Sequence, residues 1–383
     1  LQVVTHIISR LDEGNNAVRE SIKALLLSIA KENPQVLVFP LLLARASPVE
    51  KRARVAAKLL LEMGEEHQRL IDEAVLFSQE LIRVSVLLEE QWAGGIREAY
   101  KLGVEGSDHA GMTLVLEKLF RATAQLSTPS ELNFFHRHGG LLVRVKEALE
   151  LHKAHAHPAF LGQLWALLSE LNAALEQRLA SCSALFLEDV SPTLLRLRDA
   201  QLFVPGTERK FSAEQRVRLR SFGNAVGVLR SKRRPKKLTA VGANGKVYPF
   251  LLKGNEDLRQ DERAMQLLTM VNDLLKNNSK LDHKGLKIVT FNVLPLSTNT
   301  GLISWLESCD TLYQLVRQHR LGYGVRADAE KALAEEFFHD YDVLSKLQKL
   351  EVYQYVCAHT KAEDLRQILW LRSDCCEAWL AQR

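Results

Sequence analysis

No stretch of the chain is apolar enough to cross a membrane. The longest apolar run, Val36 to Ala44, is interrupted by Pro40 and falls far short of the roughly 18 residues a span needs. Cysteine is scarce and unpatterned. Cys182, Cys309, Cys357, Cys375 and Cys376 are odd in number, exclude a disulfide scaffold and fit a reducing compartment. An excess of one charge is missing too: 51 Lys and Arg face 46 Asp and Glu, and a net +5 excludes the whole chain as a nucleic-acid binder. Ten prolines and 20 glycines exclude collagen-like or low-complexity filler. What remains is ordinary: 383 residues, 46% hydrophobic and 25% charged, enough for two or three domains with real cores. The chain opens on Leu1 with no signal peptide behind it, so an internal piece of a longer, cytoplasmic polypeptide is expected, reaching endomembranes only through partners.

To about residue 200 the pattern is helical. Val4, Ile7, Ile8 and Leu11, then Val18, Ile22, Leu25 and Leu26, keep the three-four spacing of an amphipathic helix over Leu1 to Ala30. Asn33-Pro34 punctuates before a second helix over Gln35 to Ala44; Pro48 opens a third, and a long one is expected from His67 to Lys101. Residues 80–178 read as four helices of one bundle, broken near Lys101-Leu102-Gly103, at Ser127-Thr128-Pro129 and at His157-Pro158, with Trp92 and Trp165 on the first and fourth. Those tryptophans fit either a core or an apolar recognition patch. Glu176 to Asp189 carries no motif and reads as linker helix.

Near residue 236 the grammar changes. Lys237–Val241, the hairpin signal Asn244-Gly245 and Lys246–Lys253 read as two strands, with Pro249 a blemish because proline cannot donate to a ladder. A helix follows from Glu256 to Lys276, with Ala264, Leu267, Leu268, Val271, Leu274 and Leu275 as its apolar face and Asn277-Asn278-Ser279 as its end. Leu286–Leu294 and Gly301–Leu306 are further strands, and helix returns at Thr311. Strand, strand, helix, strand, strand after a basic turn is the order of a protein-kinase small lobe. Such a lobe needs a lysine on the strand before the helix and an acidic group to hold it. Lys253, with Glu256 or Asp261, fits those roles, and Ser304-Trp305-Leu306 fits a hinge. The glycine motif of ordinary kinases is absent.

Leu251-Leu252-Lys253-Gly254-Asn255-Glu256-Asp257-Leu258-Arg259-Gln260-Asp261-Glu262-Arg263 resembles the small-lobe signature of the phosphatidylinositol-3-kinase-related protein kinases. Pro295-Leu296-Ser297-Thr298-Asn299-Thr300-Gly301-Leu302-Ile303, then Trp305, is similar to the segment leading to their hinge. Arg234-Pro235-Lys236-Lys237-Leu238-Thr239 and Val204-Pro205-Gly206-Thr207 resemble the target of rapamycin branch. The resemblance covers nearly the whole chain and implies a mainly α fold. Its parts are the end of a FAT helical solenoid (1–78), a rapamycin-binding (FRB) four-helix bundle (79–178), a linker and start of small lobe (179–235), an α+β kinase small lobe to the hinge (236–306), and the first large-lobe helices (307–383). It implies a Ser/Thr protein kinase of nutrient and growth signalling, using ATP and Mg2+. Ser231, in the turn between the first two strands, and Lys253 would meet ATP phosphates; Glu256 and Asp261 would orient Lys253; Leu251, Ile303 and Trp305 would hold adenine; Leu306 would supply hinge bonds; Thr311 would lie near the ribose. Two departures are Phe291, where the inner pocket usually has Tyr, and Ser304, where the hinge has Gly.

The resemblance also implies partners: scaffold subunits of the kinase complex, protein substrates at the bundle, and a WD-repeat β-propeller subunit on an insertion over 322–356. Phe337-Phe338, Tyr341 and Leu344 are expected on one face of that insertion. On the FRB face Trp92, Ile96 and Trp165 match the family, but Tyr100 stands where a small residue is needed, and Val104 and Ser169 where aromatics are needed. Weak or absent rapamycin–immunophilin binding follows. His136, His138, His152, His155 and His157 read as solvated helix ends better than as a zinc site. Arg230 to Lys237 reads as electrostatics on the ATP side. The family's D-R-H-x-x-N and D-F-G motifs, which carry the catalytic aspartate and the magnesium ligands, occur nowhere in the sequence, so this piece alone should not transfer phosphate. Two alternatives stay open: a helical scaffold with a degenerate lobe, and a relative of the phosphoinositide lipid kinases.

Overall fold

A computed structural model describes residues 3–155, 157–208, 216–278, 286–307, 309–338, 340–361 and 363–382. The chain forms two compact units, 1–305 and 306–383.

In the first unit α1 (Val4–Ile8) and α2 (Asn16–Glu32) replace the single expected helix over Leu1 to Ala30. The break has a local cause: the Asn15 side chain accepts the Ala17 and Val18 N–H groups and starts α2 afresh. Next come α3 (Pro34–Arg45) and α4 (Glu50–Ser85), the latter kinked at His67, where φ is −131°. The helix expected from His67 to Lys101 is divided at Val86-Leu87, where the backbone is extended. The bundle is α5 (Leu88–Tyr100), a π turn over Lys101–Glu105, α6 (His109–Thr123), α7 (Pro129–His155) and α8 (Pro158–Ser181), close to expectation.

The sheet begins earlier than residue 236. In place of a linker helix over Glu176 to Asp189, α8 ends at Ser181 and β1 (Ala184–Phe186) follows, then α9 (Leu187–Val190) and α10 (Pro192–Arg196). β2 (Leu219–Phe222), β3 (Ala225–Val228), β4 (Lys236–Gly242) and β5 (Val247–Gly254) precede α11 (Arg259–Asn277), β6 (Val293–Pro295) and β7 (Thr300–Ser304). Among the described residues they form one antiparallel sheet, ordered β1-β3-β4-β5-β7-β6, with β2 on β4. Pro249 is tolerated because its carbonyl accepts the Trp305 N–H at 3.0 Å, while pairing with β7 stops one residue away at Phe250↔Ser304. Of the expected Leu286–Leu294 strand only Val293 and Leu294 join the sheet, in β6, which runs on to Pro295. It lies at the edge, and upstream the Ile288 N–H and C=O bond the Asn272 side chain instead.

Two cores result. One joins α1–α4 to the inner face of the sheet: Phe39, Phe77, Leu81, Leu187, Phe222, Leu238, Phe250, Leu252 and Leu302 are buried together, with Phe77 5.6 Å from Phe39 and 5.9 Å from Phe222 between ring centroids. The other is the bundle's own, centred on Trp92, Met112, Leu116, Phe134, Leu168 and Leu171. Trp92 is 0% exposed; its Nε1 donates to Thr123 Oγ1 at 2.9 Å and its ring meets Phe120 edge-on. Trp92→Ala should therefore destabilise the bundle by about 3–5 kcal/mol, read from urea unfolding followed by circular dichroism; a loss below about 1 kcal/mol would contradict this packing.

The expected apolar face of α11 is not its buried face. Glu262 and Gln266 are buried, with Gln266 Nε2 bonding Thr5 Oγ1 at 3.1 Å, while Leu267 and Leu274 are 60% and 69% exposed. Periodicity marked a real stripe, whose Leu268, Val271 and Leu275 are half-buried, but the fully buried positions are polar: the helix packs beside β6 and Gln266 reaches Thr5 of α1. The Ser279 proposed to end this helix lies outside the described residues.

In the second unit Thr311 caps α12 (Leu312–Gly322), followed by α13 (Ala329–Phe337), α14 (Lys346–His359), α15 (Asp364–Leu371) and α16 (Cys376–Gln382). Phe337, Phe338, Tyr341 and Leu344 do not share a helical face: α13 ends at Phe337, and helix resumes only where Ser345 caps α14. Arg320, buried between Glu330 and Asp364, ties the helices of this unit together.

Candidate functional site

Alternation along β4 and β5 sorts their side chains. Leu238, Ala240, Phe250 and Leu252 enter the core, so Lys237, Leu251 and Lys253 belong to the opposite face. Lys237, Leu251 and Ile303 stand in one cross-strand row, and Lys253 is two residues along from it, opposite Gly301. Leu251 and Ile303 are half-buried, an apolar platform with room above it. Trp305 follows directly after β7. Lys237 Nζ sits 4.2 Å from its ring centroid, a cation–π contact that fixes the indole beside the platform. Phe291 is half-buried just before β6, and Ser304 closes β7 by donating its N–H to Asn292 O at 2.9 Å.

Lys253 Nζ lies 3.4 Å from Glu256 Oε1, and Arg233 Nη1 lies 2.9 Å from Glu256 Oε2. Burial would raise the Glu256 pKa, but its hydrogen bond to Arg233 and the charge of Lys253 hold it below the ordinary carboxylate value, so it is an anion at neutral pH. Glu256 precedes α11 instead of standing on it. Asp261 is in the first turn of α11, exposed, and makes no ion pair among the described residues, so Glu256 is the partner the structure brings to Lys253. A cavity of about 310 Å³ opens here, lined by Ser231, Lys232, Arg233, Pro235, Lys253 and Glu256. Ser231 lies in the turn between β3 and β4, which are not the first two strands because β1 and β2 come before them. Leu306 and Thr311 belong to the second unit, where Thr311 Oγ1 accepts the Gln314 N–H.

The basic run divides. Arg233 meets Glu256 and Lys237 meets the Trp305 ring, both on the open face. Arg234 and Lys236 turn the other way, to Glu90 on α5. Sequence reasoning held Arg233 and Lys237 within the basic run without their separate partners, and missed Glu90. The odd–even register of β4 was the available signal for Lys237; nothing local marks Glu90.

On the bundle, Trp92 and Ile96 are core residues that back the FRB face without lining it. Tyr100 and Val104 are 49% and 45% exposed, Ser169 is exposed, and Trp165 is half-buried with the Tyr100 ring edge-on at 5.5 Å. The Tyr100 phenol thus occupies the space over Trp165. His157 caps α8, accepting the Ala159 N–H, and no metal-holding cluster occurs among the described residues. No described helix is long and apolar enough to cross a membrane.

Comparison with known proteins gives two family matches: the FKBP12-rapamycin binding domain over residues 80–177, and the phosphatidylinositol 3- and 4-kinase family over residues 247–383. The Serine/threonine-protein kinase TOR of Arabidopsis thaliana is 40% identical over 389 residues, covering 100% of this chain and 16% of that protein. That of Oryza sativa subsp. japonica is 38% identical, and the Serine/threonine-protein kinase mTor of Drosophila melanogaster 37%, each again over 100% of this chain and 16% of its own length. The solved open conformation of CtTel1 shares the fold over 93% of this chain and 11% of that one, with a TM-score of 0.57 at 17% identity.

Proposed function

We propose that the chain is a segment of a target of rapamycin (TOR) family kinase and that the whole protein transfers the γ-phosphate of ATP to serine and threonine residues of protein substrates in nutrient and growth signalling. The observation that carries this reading is the Lys253–Glu256 pair beside the Ser231 turn, next to the Leu251–Ile303 platform.

These residues fit ATP. A cationic cavity suits a polyphosphate, and a half-buried apolar row flanked by an indole suits a purine. ATP would supply the phosphoryl group. Lys253 and the Ser231 turn would bind its charge, Glu256, itself held by Arg233, would hold Lys253 in place, and Leu251, Ile303 and Trp305 would pack on the base with Phe291 at the inner wall. Asp261 stands exposed in the first turn of α11. The magnesium ligands and the catalytic aspartate would come from D-R-H-x-x-N and D-F-G motifs, which the 383 residues do not contain, so this segment alone should transfer no phosphate.

Partners belong to the same reading: scaffold subunits of a TOR complex, protein substrates docking on the FRB bundle of 79–178, and a β-propeller subunit on 322–356. The protein would work in the cytoplasm and be brought to endomembranes by those partners. A lipid-kinase reading has one observation in its favour, the family match over 247–383, and one against it, the FRB bundle upstream. Radiolabelled ATP with the full-length gene product decides between them. Label should enter a Ser/Thr peptide and not phosphatidylinositol vesicles; label in lipid alone, or in neither, would overturn the proposal.

A further inference from the structure

We infer that Glu90, a residue of the bundle, is a positioning residue for the turn at Ser231: its carboxylate clamps Arg234 and Lys236 and thereby fixes the backbone between β3 and β4. The inference rests on reading that turn as the phosphate-binding one.

The clamp is explicit. Glu90 Oε1 accepts Arg234 Nε at 3.1 Å; Oε2 accepts Lys236 Nζ and, at 3.0 Å, the Leu87 N–H. Lys236 is 0% exposed and gives a second bond to Ser85 O at 2.8 Å, and Arg234 gives one to Cys182 O at 3.0 Å. Burial pulls the Lys236 pKa down, and the charge and hydrogen bond of Glu90 oppose that. Removing one member of such a pair leaves a buried charge uncompensated.

What the clamp holds is the turn itself. Arg234 has φ +47°, a left-handed conformation uncommon for a residue with a side chain. In that conformation its N–H reaches Ser231 O at 3.1 Å, while the Leu229 N–H reaches Pro235 O at 3.0 Å. The neighbouring Arg233 points the opposite way, to Glu256, which holds Lys253. A backbone rotation at Arg234 would therefore move Ser231 and detach Arg233 from Glu256. Glu90 thereby links the bundle to the phosphate side of the lobe.

The test uses hydrogen exchange by mass spectrometry and the affinity for a fluorescent ATP analogue, both on this 383-residue chain. Glu90→Gln keeps an acceptor for the Leu87 N–H but drops the charge. Exchange over 229–236 should speed at least tenfold, bundle peptides over 109–178 should stay within twofold, and the nucleotide Kd should rise at least fivefold. Arg234→Gly removes the clamped side chain while relieving the left-handed φ. A lock predicts faster exchange in that variant too; simple backbone strain predicts slower exchange. Should Glu90→Gln not fold, Arg234→Gly carries the test. The inference is overturned by unchanged exchange over 229–236, by equal loosening of the whole bundle, or by a loosened turn with unchanged Kd. If the wild type binds no nucleotide, the ATP reading fails, and the exchange data alone still decide whether Glu90 holds the turn.

Discussion

Lys253→Met is expected to abolish nucleotide binding by this chain and, on the proposed function, phosphate transfer by the full-length protein, without unfolding either. Methionine keeps the apolar stem on β5 and removes only the ammonium. The lost attraction for a polyphosphate is large: a unit charge pair at about 4 Å, at an effective dielectric near 20, is worth about 4 kcal/mol, or roughly a thousandfold. The lost stability is small. Lys253 and Glu256 are 27% and 28% exposed at their side chains, and a pair so exposed contributes about 1 kcal/mol at most. The expected result is a Kd raised by about two to three orders of magnitude and kcat/KM lowered by at least as much, with a melting temperature within a few degrees of wild type. Activity above a tenth of wild type would remove Lys253 from its role. The freed Glu256 keeps Arg233, so the cavity wall should persist in the variant.

The second large effect concerns the bundle. Rapamycin with its immunophilin should not bind this chain at submicromolar concentration, and the triple change Tyr100→Ser, Val104→Phe, Ser169→Tyr should create that binding. Tyr100 lies edge-on to Trp165 and covers the indole a macrolide would need. Val104 and Ser169 offer little apolar area around it. Restoring two aromatics adds about 1–3 kcal/mol each, so the triple variant should gain about thirtyfold to twenty-thousandfold over wild type. Pull-down of the immunophilin with and without drug reads this directly. Drug-dependent capture by wild type, or none by the triple variant, would each contradict the account. Trp92 and Ile96 need no change, since both lie behind the face.

The bundle and the Lys253 strand were legible because local signals dominate there. Pro129 and Pro158 start helices where helices start, and Asn244-Gly245 makes the hairpin it advertises. Failures came where a partner distant in sequence decides. The apolar stripe of α11 was correctly placed on the helix, yet its polar side meets α1, more than 250 residues earlier in the chain. β1 was hidden because its three residues pair only with β3, some forty positions later. The basic run could be located but not divided, since its inward half answers to Glu90, 144 residues upstream of Arg234. The candidate site shows the same rule: Lys253 and Glu256, three residues apart, can be read together from the sequence, while Lys237 on Trp305 needed the sheet register.

The shared core of α1–α4 and the sheet bears on how the chain is made. The bundle closes on itself within residues 88–179, so it can fold as soon as it leaves the ribosome. The helices before it cannot: Phe77 and Leu81 wait for Phe222, Phe250 and Leu302. At about 5–20 residues per second that delay is on the order of ten to forty seconds, with apolar helix faces uncovered throughout. Chaperone capture during synthesis should therefore fall on residues 26–84, and a polypeptide starting at residue 179 should be insoluble however intact its nucleotide site, because the inner face of its sheet has been made without the helices that cover it.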